Sequence, residues 1–286
     1  MAARSRPGVR RSVRGRGRRG GRRTGGETLM PSSPLLIRRL ELKYKIPAAL
    51  VPEVRERLRA VCSLDPHADP ALGGYTVNNL YFDTPTLRFY YDTKFRELTR
   101  FKLRARYYGT AAPDTMWLEV KHRQNSLIWK TRRPIAAAHW EDVLSGEHCT
   151  HRGRRMVEWP GAFEDAVFLH GARSVAHVRY FREAYVSELE SYGRVTFDTR
   201  LSFRAARGEL ALDAPDEPWR YYDDPQTTGY PESPAVLEIK VENDVPMWAV
   251  ALVRSFGLVQ GGFSKYCYAI DRLLGEEPTL REAAGY

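Results

Sequence analysis

Lys102, Arg104 and Arg106 alternate with Phe101, Leu103 and Ala105, and a little further on Glu119 and Lys121 alternate with Leu118 and Val120. Side chains of a strand point to alternate faces, so this spacing gathers cations on one side of a sheet and sets carboxylates among them. Like charges opposed on paired strands repel each other, and such a face is relieved when something anionic lies on it. A polyanion accompanied by a metal ion is the chemistry that fits. The competing interpretation is the solvated face of an ordinary antiparallel sheet.

Other elements repeat the design. Residues 100–134 read as two or three strands. Residues 35–46 place Arg39, Glu41, Lys43 and Lys45 on one face of a first strand, with Leu40, Leu42, Tyr44 and Ile46 on the other. An amphipathic helix is expected over 53–62, with Val54, Leu58 and Val61 inward, then an aromatic strand over 75–83 and a short helix or irregular turn over 86–94. Residues 135–171 have interrupted helical spacing and no evident chemistry; His139, His148 and His151 lack metal-ligand spacing. Strands resume at Ala176 as HVRYFREAYVSE, GRVTFDTRLSF and AVLEIKVEN. Within them Tyr180 and Arg182 share a face, as do Arg194, Thr196, Asp198 and Arg200, and as do Glu238, Lys240 and Glu242. A Pro-, Asp- and Gly-rich loop spans 204–234. A helix spans 246–256 and is closed by Gly257, and Ser264 and Lys265 lead into a last helix.

Helices need an apolar sheet face, so the apolar sides face helices and the charged sides face one another. A closed antiparallel barrel with a polar lumen meets this requirement, and so does a flat sheet with helices on one side.

The formal charge of +10 suggests a nucleic-acid or acidic membrane partner until it is located. Residues 1–29 hold ten Arg and one Glu, which leaves 35 basic and 34 acidic groups in the rest of the chain. The excess belongs to an Arg/Gly-rich stretch with no apolar periodicity, expected to be disordered. RNA binding, an Arg-rich transit peptide, or an over-long reading frame starting truly at Met30 are its alternative explanations. No nucleic-acid partner is expected for the folded domain, 30–286. With no run of about 18 apolar residues, no transmembrane segment is expected. Cys62, Cys149 and Cys267 lack zinc-site spacing and fit a reducing, cytoplasmic compartment.

In order along the chain, RRLELKYKIP, NLYFDTP, KLRARYYG, WLEVKHR, YFREAY, RVTFDT, VLEIK and FSKY resemble the vacuolar transporter chaperone (VTC) domain, the polyphosphate polymerase branch of the triphosphate tunnel metalloenzymes. The resemblance covers about residues 38–274. It implies an α+β fold in which eight antiparallel strands close into a barrel, a tunnel with a charged lumen and helices packed outside. It implies a metal-dependent transfer of the γ-phosphoryl of ATP to a growing polyphosphate chain. A tunnel-fold hydrolase of tripolyphosphate or nucleoside triphosphates, and a non-catalytic polyphosphate-binding module, are the alternatives.

Carried over by motif, the resemblance makes Lys265, Arg104 and Arg106 catalytic. It gives phosphate contacts to Lys43, Lys121, Lys130, Arg182, Arg194 and Ser264, and binding of Mn²⁺ or Mg²⁺ to Glu238. The sequence departs from the wider superfamily at Arg39, as the VTC branch does, and from the polymerase at Gly262, where a further Lys precedes FSKY. No regulatory helical domain or membrane domain accompanies the tunnel, so regulation or export would need a membrane-protein partner.

Overall fold

The computed structural model describes residues 39–125, 127–140, 144, 162–208, 210, 212, 218–222 and 234–276. The expected disordered stretch 1–29, His148, Cys149, His151 and most of the loop 204–234 lie outside them. The chain runs β1 (Arg39–Pro47), α1 (Val51–Leu58), β2 (Cys62–Leu64), β3 (Tyr75–Asp83), α2 (Arg88–Lys94), β4 (Thr99–Tyr108), β5 (Thr115–Gln124) and β6 (Leu127–Ala136). It continues as α3 (Ala162–His170), β7 (Arg173–Ser187), β8 (Gly193–Ala205), β9 (Arg220–Tyr221), β10 (Pro234–Glu242), α4 (Met247–Ser255) and α5 (Lys265–Glu276). The fold is α+β, as expected.

Eight strands follow one another in the order β1-β10-β8-β7-β3-β4-β5-β6, all antiparallel, with β2 attached to β7 and β9 to β8. β1 and β5 stand six spacings apart in that order, ~29 Å on a flat sheet. Yet Lys121 Nζ of β5 lies 3.4 Å from a Glu41 carboxylate oxygen of β1. The sheet is therefore strongly curled, with its charged side concave.

Two expectations need correction. Among the described residues the edge strands β1 and β6 do not pair, so hydrogen bonds do not close the sheet into a barrel. The free edge of β1 is instead met by the segment before α5: Tyr44 bridges Gln260, and Gly261 N donates to Lys43 O at 2.9 Å. This blunts the exposed edge of β1 by another route. Nor do all helices lie outside. α1 and α4 cover the convex face of β1, β10 and β8, where Val54, Leu58, Ala249 and Leu252 meet Leu237, Ile239 and Val241. α3 covers the convex face of β4 and β5, with Phe163 and Val167 against Leu103, Leu118 and Val120. α5, however, packs against apolar residues of the concave side. Tyr266, Ala269, Ile270 and Leu273 bury themselves with Val77, Tyr81, Tyr180 and Val236, and Tyr81 stacks on Tyr266 at 4.8 Å.

Local chemistry explains the helix ends. α1 stops at Leu58, short of the expected 62, because Cys62 begins the strand that pairs with β7. Gly257, at φ +57°, ends α4; its N–H bonds Arg254 O while Leu258 N bonds Val253 O, a left-handed C-terminal cap. The Asp83 carboxylate accepts the N–H groups of Thr84, Phe89 and Tyr90 at the start of α2 and the Tyr266 hydroxyl of α5. The Asp of the NLYFDTP stretch thus ties α2 to the inward helix. Cys62 and Cys267 are buried and free of disulfide bonds.

Candidate functional site

Three buried carboxylates organise the concave face, each surrounded by cations. Glu119, 1% exposed, stands between Arg104 of β4 and Arg132 of β6, its direct partners in register. Its oxygens lie 2.7 Å from Arg104 Nε, 2.5 Å from Lys130 Nζ, 3.3 Å from Arg132 Nε and 4.0 Å from Arg106 Nε. Burial alone would raise the Glu119 carboxyl; Arg104, Arg106 and Lys130 outweigh it and hold the group far below the usual range. One carboxylate among these cations leaves a local excess of positive charge. Burial and the neighbouring Arg104 accordingly push Lys130 down to about 8, even in contact with Glu119.

Asp198 is the second hub. Arg182, opposite it across the β7–β8 pairing, grips both its oxygens at 2.6 and 2.7 Å, and Lys265 Nζ lies 2.7 Å away. Burial opposes ionisation of Asp198, but Arg182 and Lys265 prevail and lower its carboxyl. Tyr180 joins this cluster to the first. Its hydroxyl accepts from Arg106 at 3.3 Å, and Lys265 and Arg182 lie over its ring at 4.9 and 5.2 Å. Although burial would raise it, Arg106 and Arg182 draw the Tyr180 phenol down.

Glu238 and Glu41 form the third cluster with Lys43 between them, at 3.1 and 2.8 Å, while Lys240 takes the other Glu238 oxygen at 3.0 Å. Against burial, Lys240 and Lys43 depress Glu238, and Lys43 and Lys121 lower Glu41 to about 2. Lys43, which burial alone would lower, is raised by Glu238 and Glu41.

The sequence-designated residues thus separate as follows. Arg104, Arg106 and Lys130 meet at Glu119. Arg182 and Lys265 meet at Asp198. Lys43 meets Glu238, and Lys121 reaches Glu41. Ser264 caps the start of α5, accepting Cys267 N at 3.3 Å. Arg194 stands apart, held by Asp65 at 2.8 Å and the Tyr75 hydroxyl at 3.2 Å.

Lys102, on the expected charged face but not singled out, belongs to the site as well. It is opposite Lys121 in register and donates to Ser264 Oγ at 2.8 Å, with no carboxylate partner among the described residues. Burial, with Lys43, Lys121 and Arg104 nearby, lowers it to about 8. Asp198 and Glu41 were also legible only as members of a charged face.

A cleft of about 1100 Å³ opens beside this third cluster, lined by Glu41, Lys43, Lys121, Ser264 and the Gly261-Gly262 pair. Nothing lies within 4 Å of where a Cβ on Gly262 would stand, so a side chain at that position would enter open space. Among the described residues no three or more His, Cys, Asp or Glu converge. Mg²⁺ needs fewer, since one or two carboxylates plus phosphate oxygens suffice, and Glu238 and Glu41, converging on one ammonium, fit that donor set.

The depressed acids set the pH behaviour of the fold. Each contributes stability that is present above its unfolded pKa, near 4, and lost as pH falls through the lower folded value. Asp83 acts in the opposite sense. Burial raises it to about 6, so its contribution fades as pH rises through that value. Thermal melts followed by circular dichroism should show a steep loss of stability between about pH 4 and 2, around the Glu41 value. A melting temperature unchanged between pH 6 and 3 would contradict these ion pairs.

Fold and face together define a curled-sheet domain built around a cation-rich concave surface. A sequence model of the VTC domain matches residues 38–274, nearly the whole described chain, and the protein belongs to that family, which is associated with polyphosphate synthesis. No curated protein matches the chain. Among solved structures, the PH1819 protein from Pyrococcus horikoshii OT3 is similar at 13% identity and a TM-score of 0.40, over 84% of this chain and 100% of that one. No helix among the described residues is long and apolar enough to cross a membrane.

Proposed function

We propose that the protein is a metal-dependent phosphotransferase of the polyphosphate polymerase type, which moves the γ-phosphoryl of ATP onto a growing polyphosphate chain. The observation that carries the proposal is the charge imbalance of the concave face in a VTC domain. Lys102, Lys121 and Lys130 all have lowered ammonium groups, first because they are buried and then because neighbouring cations such as Arg104 crowd them.

Phosphoryl transfer asks a protein mainly for positioning and charge neutralisation, and here the attacking group is a phosphate oxygen already ionised at neutral pH. Arg104 and Arg106 offer planar forks suited to two phosphate oxygens at once, while Lys43, Lys102, Lys121 and Lys130 act as point charges along the chain. Lys265, at the first turn of α5, is close to Asp198 and Tyr180 and meets the charge that develops as the γ-phosphoryl leaves ADP. Arg182 orients Asp198, which in turn fixes Lys265. Ser264 and Arg194 complete the phosphate contacts. Glu238, with Glu41, would hold Mn²⁺ or Mg²⁺, which supplies neutralisation of phosphate oxygens when bound. The cytoplasm, where ATP is available, is the compartment this activity needs, and a membrane-protein partner would carry any export.

Incubation of the purified protein with ATP and Mn²⁺, with products resolved on a gel, tests the proposal. A ladder of phosphate chains is expected. Free phosphate would identify a hydrolase, and unreacted ATP with retained polyphosphate would identify a binding module.

A further inference from the structure

Three arginines and three large apolar side chains share one end of the sheet, where α2 finishes, β4 begins and the β5–β6 hairpin turns. Phe95, Leu98 and Leu127 are each more than 60% exposed, at 67%, 68% and 62%. Local contacts bring their backbones to the same end of the sheet. Phe95 stacks on Tyr91 of α2, Leu98 O accepts Asn125 N at 2.7 Å, and Leu127 pairs with Gln124, which itself pairs with Thr99, next to Leu98. Among them stand Arg96, Arg100 and Arg123. Arg100 and Arg123 are directly opposed in register, an arrangement that is unfavourable without a counter-charge. Their guanidinium groups donate to the backbone carbonyls of Glu97 and Asn125, and none of the three arginines pairs with a carboxylate among the described residues.

We propose that this end of the domain docks on an anionic membrane surface, with Phe95, Leu98 and Leu127 entering the boundary between headgroups and acyl chains and the arginines holding lipid phosphates. The two features together select the occupant. A free polyphosphate would satisfy the arginines and leave the apolar side chains in water. A second copy paired about a two-fold axis would cover the apolar side chains and set the arginine cluster against itself. An anionic bilayer answers both, since apolar side chains insert where basic ones meet phosphate. The cleft is lined at this end by Arg96, Leu98, Arg100 and Arg123, so docking turns its mouth toward the lipid. The proposal stands independently of the reaction assigned to the concave face.

Co-sedimentation of the full-length protein with phosphatidylcholine vesicles, with and without phosphatidylserine, tests it. Binding is expected only when phosphatidylserine is present. The double variant Leu98→Ser, Leu127→Ser should bind at least about tenfold more weakly at the same salt concentration, because two side chains no longer insert. The variant keeps residues 1–29, so any attraction from that Arg-rich stretch is the same in both proteins. Arg100→Gln with Arg123→Gln should weaken the preference for phosphatidylserine relative to the wild type. Phe95→Ser, outside the sheet, provides the same comparison if the double variant melts early. Equal binding by the wild type and the serine variants would overturn the proposal. So would absence of binding, a self-association abolished by the same variants, or an arginine cluster that retains tripolyphosphate and ignores vesicles.

Discussion

Glu119→Gln is expected to lower the melting temperature by roughly 6–20 °C, from a loss of about 3–5 kcal/mol. The residue is 1% exposed, and its carboxylate is shared by Arg104, Arg106, Lys130 and Arg132, whose mutual repulsion it offsets in part. Gln keeps the shape and accepts one hydrogen bond, but removes the charge, and it leaves a crowd of buried or half-buried cations repelling one another. Arg104 is most affected, since Glu119 is what holds its guanidinium above its already high value against burial. The defect should be repairable from outside. Tripolyphosphate is itself an anion of the right kind, and a ligand that binds only the folded state raises stability with its concentration. Added tripolyphosphate should therefore raise the melting temperature of Glu119→Gln by more than it raises that of the wild type. A variant that melts with the wild type, or one that tripolyphosphate does not help, would show that Glu119 neither offsets that repulsion nor marks a phosphate site.

The charged face itself was legible from residues two apart. KLRARYY and WLEVK alternate so regularly that a one-residue slip in register would have exposed Leu103, Leu118 and Val120, and the structure buries all three. What alternation does not encode is curvature and partner choice. Closure depends on accumulated twist over eight strands, and here β1 finds its edge partner in Gln260 and Gly261 rather than in β6. The inward position of α5 left a signal that went unused. On β3, Tyr75, Val77 and Tyr81 occupy the side shared with Arg104 and Arg106, so this strand is apolar on both faces and must be covered on both. Which acid meets which base was beyond reach for a different reason. Asp198 faces Arg182 through the β7–β8 register, which shifts at a bulge between Arg179 and Phe181, and it meets Lys265 through a helix more than sixty residues away in sequence. Lys102 was legible only as one cation of the charged face; its place beside Ser264, away from carboxylates among the described residues, is visible only in three dimensions.

Lys265→Ala and Glu238→Gln should both damage polyphosphate synthesis, in ways that extra metal separates. Lys265 pairs with Asp198, which Arg182 continues to grip with two hydrogen bonds when the lysine is gone, so the substitution leaves the local structure supported. It removes a cation from where charge grows in the transition state, and a rate loss of the order of 10²-fold is expected. Glu238→Gln leaves that cation in place. It removes the carboxylate that holds Lys43 and Lys240 and that would hold a hard divalent ion, which selects anionic oxygen. The Mn²⁺ concentration giving half-maximal rate should rise for Glu238→Gln, with the maximal rate largely recovered at high Mn²⁺. For Lys265→Ala that concentration should stay near the wild-type value and the maximal rate should stay low. Rescue of both variants by metal to the same degree, or wild-type turnover by both at ordinary Mn²⁺, would show that the two residues do not divide the work between metal and phosphate, and the concave face would then be an ion-paired surface without this chemistry.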